Sequence, residues 1–496
     1  MSRTLTDRAA RCLARVVAFA ALSACAGDAL SKRGPDDPPD TEGVEAARGA
    51  AAAASLSSTG SPADRRAFER TFERAFPHTN GRACATCHVL EEDTTLRPAS
   101  VEARLRANPR DPLFNRLDAD DPTAAVPTFE ALKKGLVRVV LPLPANMDVI
   151  DLEGRVITPA DRRIFVWRGV PTVANTALTA PYQFDGRAAT LQEQAQAAIL
   201  SHSEGRPVAR RELDRIAAFQ KATFTSPRAG LVAALLAAGF PVERIPAPEQ
   251  FMPLAPDEQR GRTVYQAACE PCHGGATTNR IVNREVHDFF FPALKPDGNV
   301  RFQVVPGVGP VPVRISRPNV EIQNNGYTLS TYFPQVGLGT AFNASIHFPQ
   351  YRFRFYEDGT RRRPVVDLPP VPVTASGDLH DPRPKLDADG APIVGPNLVP
   401  QLFSVDPGRA AITGDPADFE AFDVPQLRGI AGTAPYFHDN SHETLRDVVD
   451  TYSRIVLPSV PPLKLPAVNP PEKPGGSKES LSVQQKEDLL AFLRRL

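Results

Sequence analysis

The chain has 496 residues, and its 57 Lys and Arg balance 57 Asp and Glu to a formal net charge of zero. That balance excludes the two partners recruited by long-range attraction, nucleic acid and an anionic membrane surface. The length leaves room for two or three domains with their own cores, and 51 prolines favour long irregular loops between them.

The first segment reads as an export signal. Arg3, Arg8, Arg11 and Arg15 precede the apolar run Val16 to Leu22, which is too short to span a bilayer. The run ends in Leu22-Ser23-Ala24-Cys25, which resembles the lipobox of bacterial lipoproteins. That resemblance implies removal of residues 1–24, lipidation of the Cys25 thiol and a periplasmic protein that meets the membrane through its lipid alone. Ala26 after the cysteine resembles the outer-membrane sorting pattern. The alternative is an ordinary secretory signal that carries a cysteine. Residues 25–65 follow, with Gly34-Pro35-Asp36-Asp37-Pro38-Pro39 and an Ala/Ser/Gly tract. They hold too little apolar surface to offset ordering, and read as a flexible tether.

Two Cys-x-x-Cys-His stretches come next, Cys84-Ala85-Thr86-Cys87-His88 and Cys269-Glu270-Pro271-Cys272-His273. Two thiols one helical turn apart suit thioether attachment of a haem, with the adjacent histidine beneath the ring as proximal ligand. This predicts two covalently bound haem c groups, on Cys84/Cys87 with His88 and on Cys269/Cys272 with His273. A thioredoxin-like redox pair and a zinc knuckle are the competing readings. Of the six cysteines, Cys12 lies in the signal and Cys25 is the lipidation site, so none remains for a disulfide. Asp118, Asp120 and Asp121 form an acidic cluster that reads as a solvated turn rather than a metal site.

Beyond the tether the sequence repeats itself. Val170 to Glu193 aligns with Val424 to Asp447 at a constant offset of 254, pairing Thr179-Ala180-Pro181-Tyr182 with Thr433-Ala434-Pro435-Tyr436 and Asp185 with Asp439. In each copy a Thr with an acidic residue three positions on, Thr190 with Glu193 and Thr444 with Asp447, predicts a capped helix start. Each half closes on an amphipathic stretch, around Ile216 to Phe219 in the first and Ser482 to Leu496 in the second, where Leu489, Phe492, Leu493 and Leu496 share a face. The expected fold is mainly α, with two cytochrome c-like haem domains at 66–250 and 251–496. The second carries a loop-rich, partly β insertion over 281–420, where runs such as Val311 to Ile315 and Tyr351 to Tyr356 alternate among Pro and Gly turns.

These residues resemble the di-haem cytochrome c peroxidase / MauG family. The resemblance rests on the two haem stretches, Phe184-Asp185-Gly186-Arg187-Ala188 with Leu191-Gln192-Glu193-Gln194-Ala195, and Thr433-Ala434-Pro435-Tyr436-Phe437-His438-Asp439. It implies peroxide reduction at the first haem with electrons relayed by the second. Leu445, Val448, Val449 and Tyr452 share a helical face, which in the family carries the sixth ligand of the second haem. The three methionines are Met1, Met147 and Met252, so Met ligation beyond the second haem stretch is impossible. The MauG-like pattern then points to Tyr452, with His438 as runner-up and a buried core tyrosine as the alternative. The repeat maps Tyr452 onto Ala198, which cannot bind iron, so the first haem is expected to keep an open face for peroxide. The family's distal glutamate maps to Glu204, and His202 is a second acid–base candidate or ligand. The family's interhaem Trp is Phe184 here, and the one tryptophan, Trp167, reads as core. An interdomain calcium is also implied, held by carbonyls at Thr433 and Pro435 and by an Asn in an Arg-Asn-x-Pro segment. That segment reads Arg168-Gly169-Val170-Pro171, which leaves calcium open.

The leading reading is a periplasmic c-type haem oxidoreductase of peroxidase type, acting on hydrogen peroxide and fed by a small soluble cytochrome or cupredoxin. The alternatives are a di-haem electron-transfer cytochrome without turnover, and an oxidase or oxygenase acting on an organic substrate through the insertion.

Overall fold

Helices and helical turns outnumber strands in the computed structural model, which describes residues 62–286, 301–305, 309–313, 329–330, 346–369, 403–466, 468 and 479–496. Cys12, Cys25, the signal and nearly all of the tether lie outside these residues. Helix α1, Pro62–Glu73, begins inside the last residues of the stretch read as tether. It leads into α2 at Cys84–Cys87 and α3 at Pro98–Ala107. Helices α4, Leu191–Ser201, α5, Arg210–Ala222, and α6, Pro227–Ala237, complete the helical part of the first half. In the second half stand α7, Pro256–Ala268, α8, Leu445–Thr451, and α9, Val483–Leu493.

Each haem stretch has its own apolar core. In the first half Phe72 and Phe76 pack with Ala195 and Ile199 of α4 and with Leu213 and Ile216 of α5, and Cys84 lies against this cluster. In the second, Tyr265 and Ala268 of α7 pack with Leu445 and Val449 of α8 and with Leu489, Leu490, Phe492 and Leu493 of α9. Full burial of such a side chain stabilises the fold by roughly 1.5–3 kcal/mol each. Helices α7 and α9 cross at Gly261, where a Cβ would stand 1.8 Å from the Asp488 carbonyl oxygen. The closing face Leu489, Phe492, Leu493 and Leu496 is buried as its period requires.

The β structure sits differently from the expectation of an insertion belonging to the second half. Strands β1, Leu136–Pro142, and β3, Arg163–Gly169, pair antiparallel within the first half. Between them β2, Met147–Ile150, pairs with β7, Arg352–Tyr356, from the insertion, and β7 pairs in turn with β8, Pro364–Leu368. The other strands are the hairpin β4–β5, Arg301–Val305 with Gly309–Val313, and β6, Leu329–Ser330, against β9, Ala421–Phe422. Phe353, Phe355, Leu368 and Phe419 join Leu96, Leu132, Val139, Met147 and Val166 in one core. This part of the insertion is therefore built onto the first half, because its alternating apolar face is buried there and not beside α7 to α9. Trp167 is buried in a neighbouring cluster with Ala131 and Leu136.

The internal repeat is visible in local geometry. Thr190 and Thr444 cap α4 and α8, each accepting the N–H of the acidic residue three positions on and completing a capping box with it. The hydroxyls of Tyr182 and Tyr436 donate to the carbonyls of Thr176 and Ile430 at 3.2 and 3.0 Å. Gln183 and Phe437, also repeat mates, both hold a left-handed backbone, at φ 74° and 68°.

Candidate haem sites

Each Cys-x-x-Cys-His stretch turns its histidine back beside its thiols. The His88 N–H donates to the Cys84 carbonyl at 3.0 Å, and the His273 N–H to the Cys269 carbonyl at 2.8 Å. Nδ1 of His88 meets the Thr94 carbonyl at 3.0 Å, with the Pro171 backbone as a further hydrogen-bonding neighbour. Nδ1 of His273 meets the Pro425 carbonyl at 3.0 Å. Pro171 and Pro425 are repeat mates, so both histidines are held by the same element. A carbonyl can only accept, so Nδ1 carries the proton and Nε2 keeps its lone pair for a metal.

Burial pulls both imidazoles down to about 4, which keeps them neutral near pH 7 and able to ligate. It pushes the Cys84 and Cys269 thiols up to about 12, and those of Cys87 and Cys272 to about 11. All four are free cysteines. Paired neutral thiols with an Nδ1-tethered histidine fit two covalently attached haems. The loops that follow also match, since Thr94 Oγ1 accepts the Val173 N–H at 2.9 Å and Thr278 Oγ1 the Leu427 N–H at 3.1 Å.

The two sites differ on the side contributed by α4 and α8. Tyr452 caps α8 and opens a π-helical turn, Tyr452–Val456, a feature that concentrates at functional positions. Burial raises its phenol far above the usual range, and Cys269 and Cys272 lie close enough to add to the effect. Its ring stacks on Phe437 with centroids 6.3 Å apart. The structure thus brings Tyr452 to the second cysteine pair. The turn is braced on both sides: His442 Nε2 is 2.6 Å from Thr451 Oγ1, and Ser453 Oγ donates to Glu479 at 3.0 Å. His438, the runner-up, lies flat on Phe422 with centroids 3.9 Å apart and an interplanar angle of 16°.

In the first site Ala198 occupies the Tyr452 position on α4, and its carbonyl accepts the His202 N–H at 2.9 Å. Burial lowers the His202 pKa, Asp118 opposes the shift, and Arg82 and Arg187 reinforce it. His202 is also an electrostatic neighbour of His88. Glu204 is exposed, with a left-handed backbone at φ 50°. Asn80 Nδ2 ties the pair together, donating to the His202 carbonyl at 3.0 Å and to Glu204 Oε2 at 3.1 Å. Of the two candidates, His202 is the electrostatic neighbour of His88.

Residues not singled out by sequence complete this pocket. Arg82 is buried and ion-paired to Asp118 at 2.6 Å, and it donates to the carbonyls of Pro112 and His202 at 2.9 and 3.3 Å. Asp118 of the acidic cluster is therefore not on a solvated turn as expected, but buried, because the Arg82 guanidinium neutralises it. Asp120 accepts the N–H groups of Glu130 and Ala131, and Asp121 accepts from Thr123. The signal for Arg82 was its place two residues before Cys84, which spacing alone does not distinguish from any surface arginine.

Phe184 lies between the halves, its carbonyl accepting the Asp423 N–H at 2.7 Å. Beside it Arg168 is fully buried, paired to Asp185 at 2.6 Å and to Asp406 at 2.7 Å.

Residues 71–226 match the model of the di-haem cytochrome c peroxidase family. Cytochrome c551 peroxidase of Nitrosomonas europaea is 50% identical over 50 residues, 10% of this chain and 15% of that protein. Cytochrome-c peroxidase IdrP2 of Denitromonas iodatirespirans is 47% identical over 49 residues, 10% of this chain and 13% of that protein. The chain's matches therefore span about a seventh of these curated relatives. Among solved structures, a MauG-like protein associated with microbial copper homeostasis aligns over 88% of both chains at 17% identity, with a TM-score of 0.35. Residues 71–226, which hold the first haem stretch and the first copy of the repeat, are thus the part of the chain that is similar to the di-haem cytochrome c peroxidase family.

Proposed function

We propose that the protein is a di-haem c-type peroxidase, reducing hydrogen peroxide at the His88 site with electrons that enter at the His273 site. The observation that carries this reading is the asymmetry of two otherwise matched sites. Tyr452 stands beside Cys269 and Cys272, whereas its repeat mate Ala198 offers no ligating atom. When bound, each haem supplies a redox-active iron, and a five-coordinate one has a position for peroxide.

The polypeptide supplies geometry and protons. The Thr94 carbonyl orients His88, and the Pro425 carbonyl orients His273. Reduction of one peroxide to two waters consumes two electrons and two protons. His202 Nε2 or Nδ1, neutral because it is buried, accepts a proton from incoming peroxide and returns it to the departing oxygen. Glu204, at the exposed rim and tied by Asn80 to the His202 backbone, passes inward from solvent the two further protons that the second water takes up with the two electrons. Arg82 and Asp118 fix the His202 backbone and set the local field. The electrons come from a small soluble cytochrome or cupredoxin. Export, lipidation at Cys25 and a periplasmic site on the outer membrane belong to the same proposal.

Stopped-flow mixing of the ferric holoprotein with hydrogen peroxide tests it, comparing wild type with His202→Ala and Glu204→Gln. Loss of an acid–base group should slow peroxide consumption about 10²–10⁴-fold, with the larger effect in His202→Ala. A second reading, an electron-transfer cytochrome without turnover, is favoured by the proximity of His202 to His88. It predicts no reaction with peroxide and a low-spin first haem that becomes high-spin in His202→Ala.

A further inference from the structure

The halves meet at a joint that follows the internal repeat. The Gly169 N–H donates to the His438 carbonyl at 2.7 Å, and the Asp423 N–H donates to the Phe184 carbonyl at 2.7 Å. Gly169 and Asp423 are repeat mates, as are Phe184 and His438, so the two bonds form a reciprocal pair. The symmetry breaks at one place. Asn440 stands where its mate is Gly186, both with a left-handed backbone, at φ 51° and 64°.

The Asn440 side chain is buried and crosses into the first half. Its Nδ2 donates to the Lys134 carbonyl at 2.9 Å. A Cβ on Gly169 would lie 2.2 Å from Asn440 Oδ1 and 2.9 Å from its Cγ. A Cβ on Gly135 would lie 3.0 Å from Asn440 Nδ2 and 2.5 Å from the Leu96 carbonyl oxygen. Two glycines of the first half thus leave the space that one amide of the second half fills.

The calcium implied by the family resemblance does not fit this joint. Its side-chain ligand would be an Asn at 169, whose Cβ would have to stand where the Asn440 amide stands. The loop carrying Thr433 and Pro435 is tied to the first half directly, because Arg97 Nη2 donates to the Gly432 carbonyl at 2.7 Å while pairing with Asp93 at 3.4 Å.

We propose that the joint between the two haem-carrying halves is keyed by the Asn440 amide and works without a cation. Asn440 does structurally what a bridging metal would do: it fixes the Phe437-His438-Asp439 turn against Gly169, and so fixes one site relative to the other. Thermal unfolding of the purified holoprotein tests this, after EGTA treatment and again with excess calcium chloride, together with calorimetric titration of calcium. The wild-type Tm should be the same in both conditions, with no heat of calcium binding. Asn440→Gly should lower the Tm by a few degrees. Gly169→Asn should lower it too, and the double exchange Gly169→Asn with Asn440→Gly should recover part of the loss. A wild-type Tm that falls with EGTA and returns with calcium would overturn the proposal, as would an Asn440→Gly protein as stable as wild type. The wild-type calcium measurements decide the matter even where Gly169→Asn does not fold.

Discussion

Tyr452 is a phenol that burial holds firmly protonated, so an ionised Tyr452 requires a strong Lewis acid at its oxygen. Iron in the second haem would be that acid. Tyr452→Phe is therefore expected to change the absorption and EPR of one ferric haem, leave the other unaltered, and raise the potential of the changed haem, since an anionic donor favours ferric iron. Redox titration with spectroscopy checks both effects, and two unaffected haems would remove Tyr452 from the site. The Arg168 cluster gives a second expectation at this scale. Burial pushes the Asp185 carboxyl up, but Arg168 and Arg187 outweigh it and hold the carboxyl below its usual range. A carboxyl depressed in the folded state contributes its full stabilisation above the unfolded value, near 3.9, and loses it as the pH falls further. Asp185→Asn should cost about 3–5 kcal/mol at neutral pH and lessen the loss of stability below about pH 4. Denaturant unfolding across that pH range measures it.

At the scale of the element, α4 and α8 are the same device used twice. Each begins at a Thr capping box and packs near its own cysteine pair, but they diverge about two turns later, where α8 passes into a π-helical turn at Tyr452. Thr444→Ala removes the cap of α8 and is expected to cost about 0.5–2 kcal/mol. Its spectroscopic effect should be confined to the second haem, whereas Thr190→Ala should disturb only the first; guanidinium unfolding with visible spectra separates the two. These helices were legible in sequence because a cap and an apolar period are local signals. The buried face of α9, with Leu489, Phe492 and Leu493, was legible for the same reason. The surroundings of His202 were not, because Arg82 lies 120 residues away in sequence and nothing near His202 announces it. Glu204 and His202 stood two residues apart with no local criterion to rank them; half-burial of His202 and exposure of Glu204 came only with the fold.

For the molecule as a whole, the insertion was visible as excess length and its alternating runs were visible as strands, but the half it belongs to was not. Met147 of β2 pairs with Phe355 of β7, a choice made by a shared buried face rather than by any turn. The insertion delivers Asp406 to Arg168, and just after it Phe422 meets the His438 ring and Asp423 the Phe184 carbonyl. It thereby joins the two haem-carrying halves as well as enlarging one of them. The repeat, by contrast, was legible from Val170 to Glu193 and from Val424 to Asp447, and its offset of 254 aligns Pro171 with Pro425, backbone neighbours of His88 and His273. That symmetry makes its break at the haem sites, Ala198 opposite Tyr452, the central point of the account. EPR of the ferric holoprotein at neutral pH tests it most directly. The account predicts one high-spin haem, the His88 site with its sixth position open, and a second haem whose signal alone responds to Tyr452→Phe. Two low-spin haems in the wild-type protein, with the first insensitive to added peroxide, would contradict it.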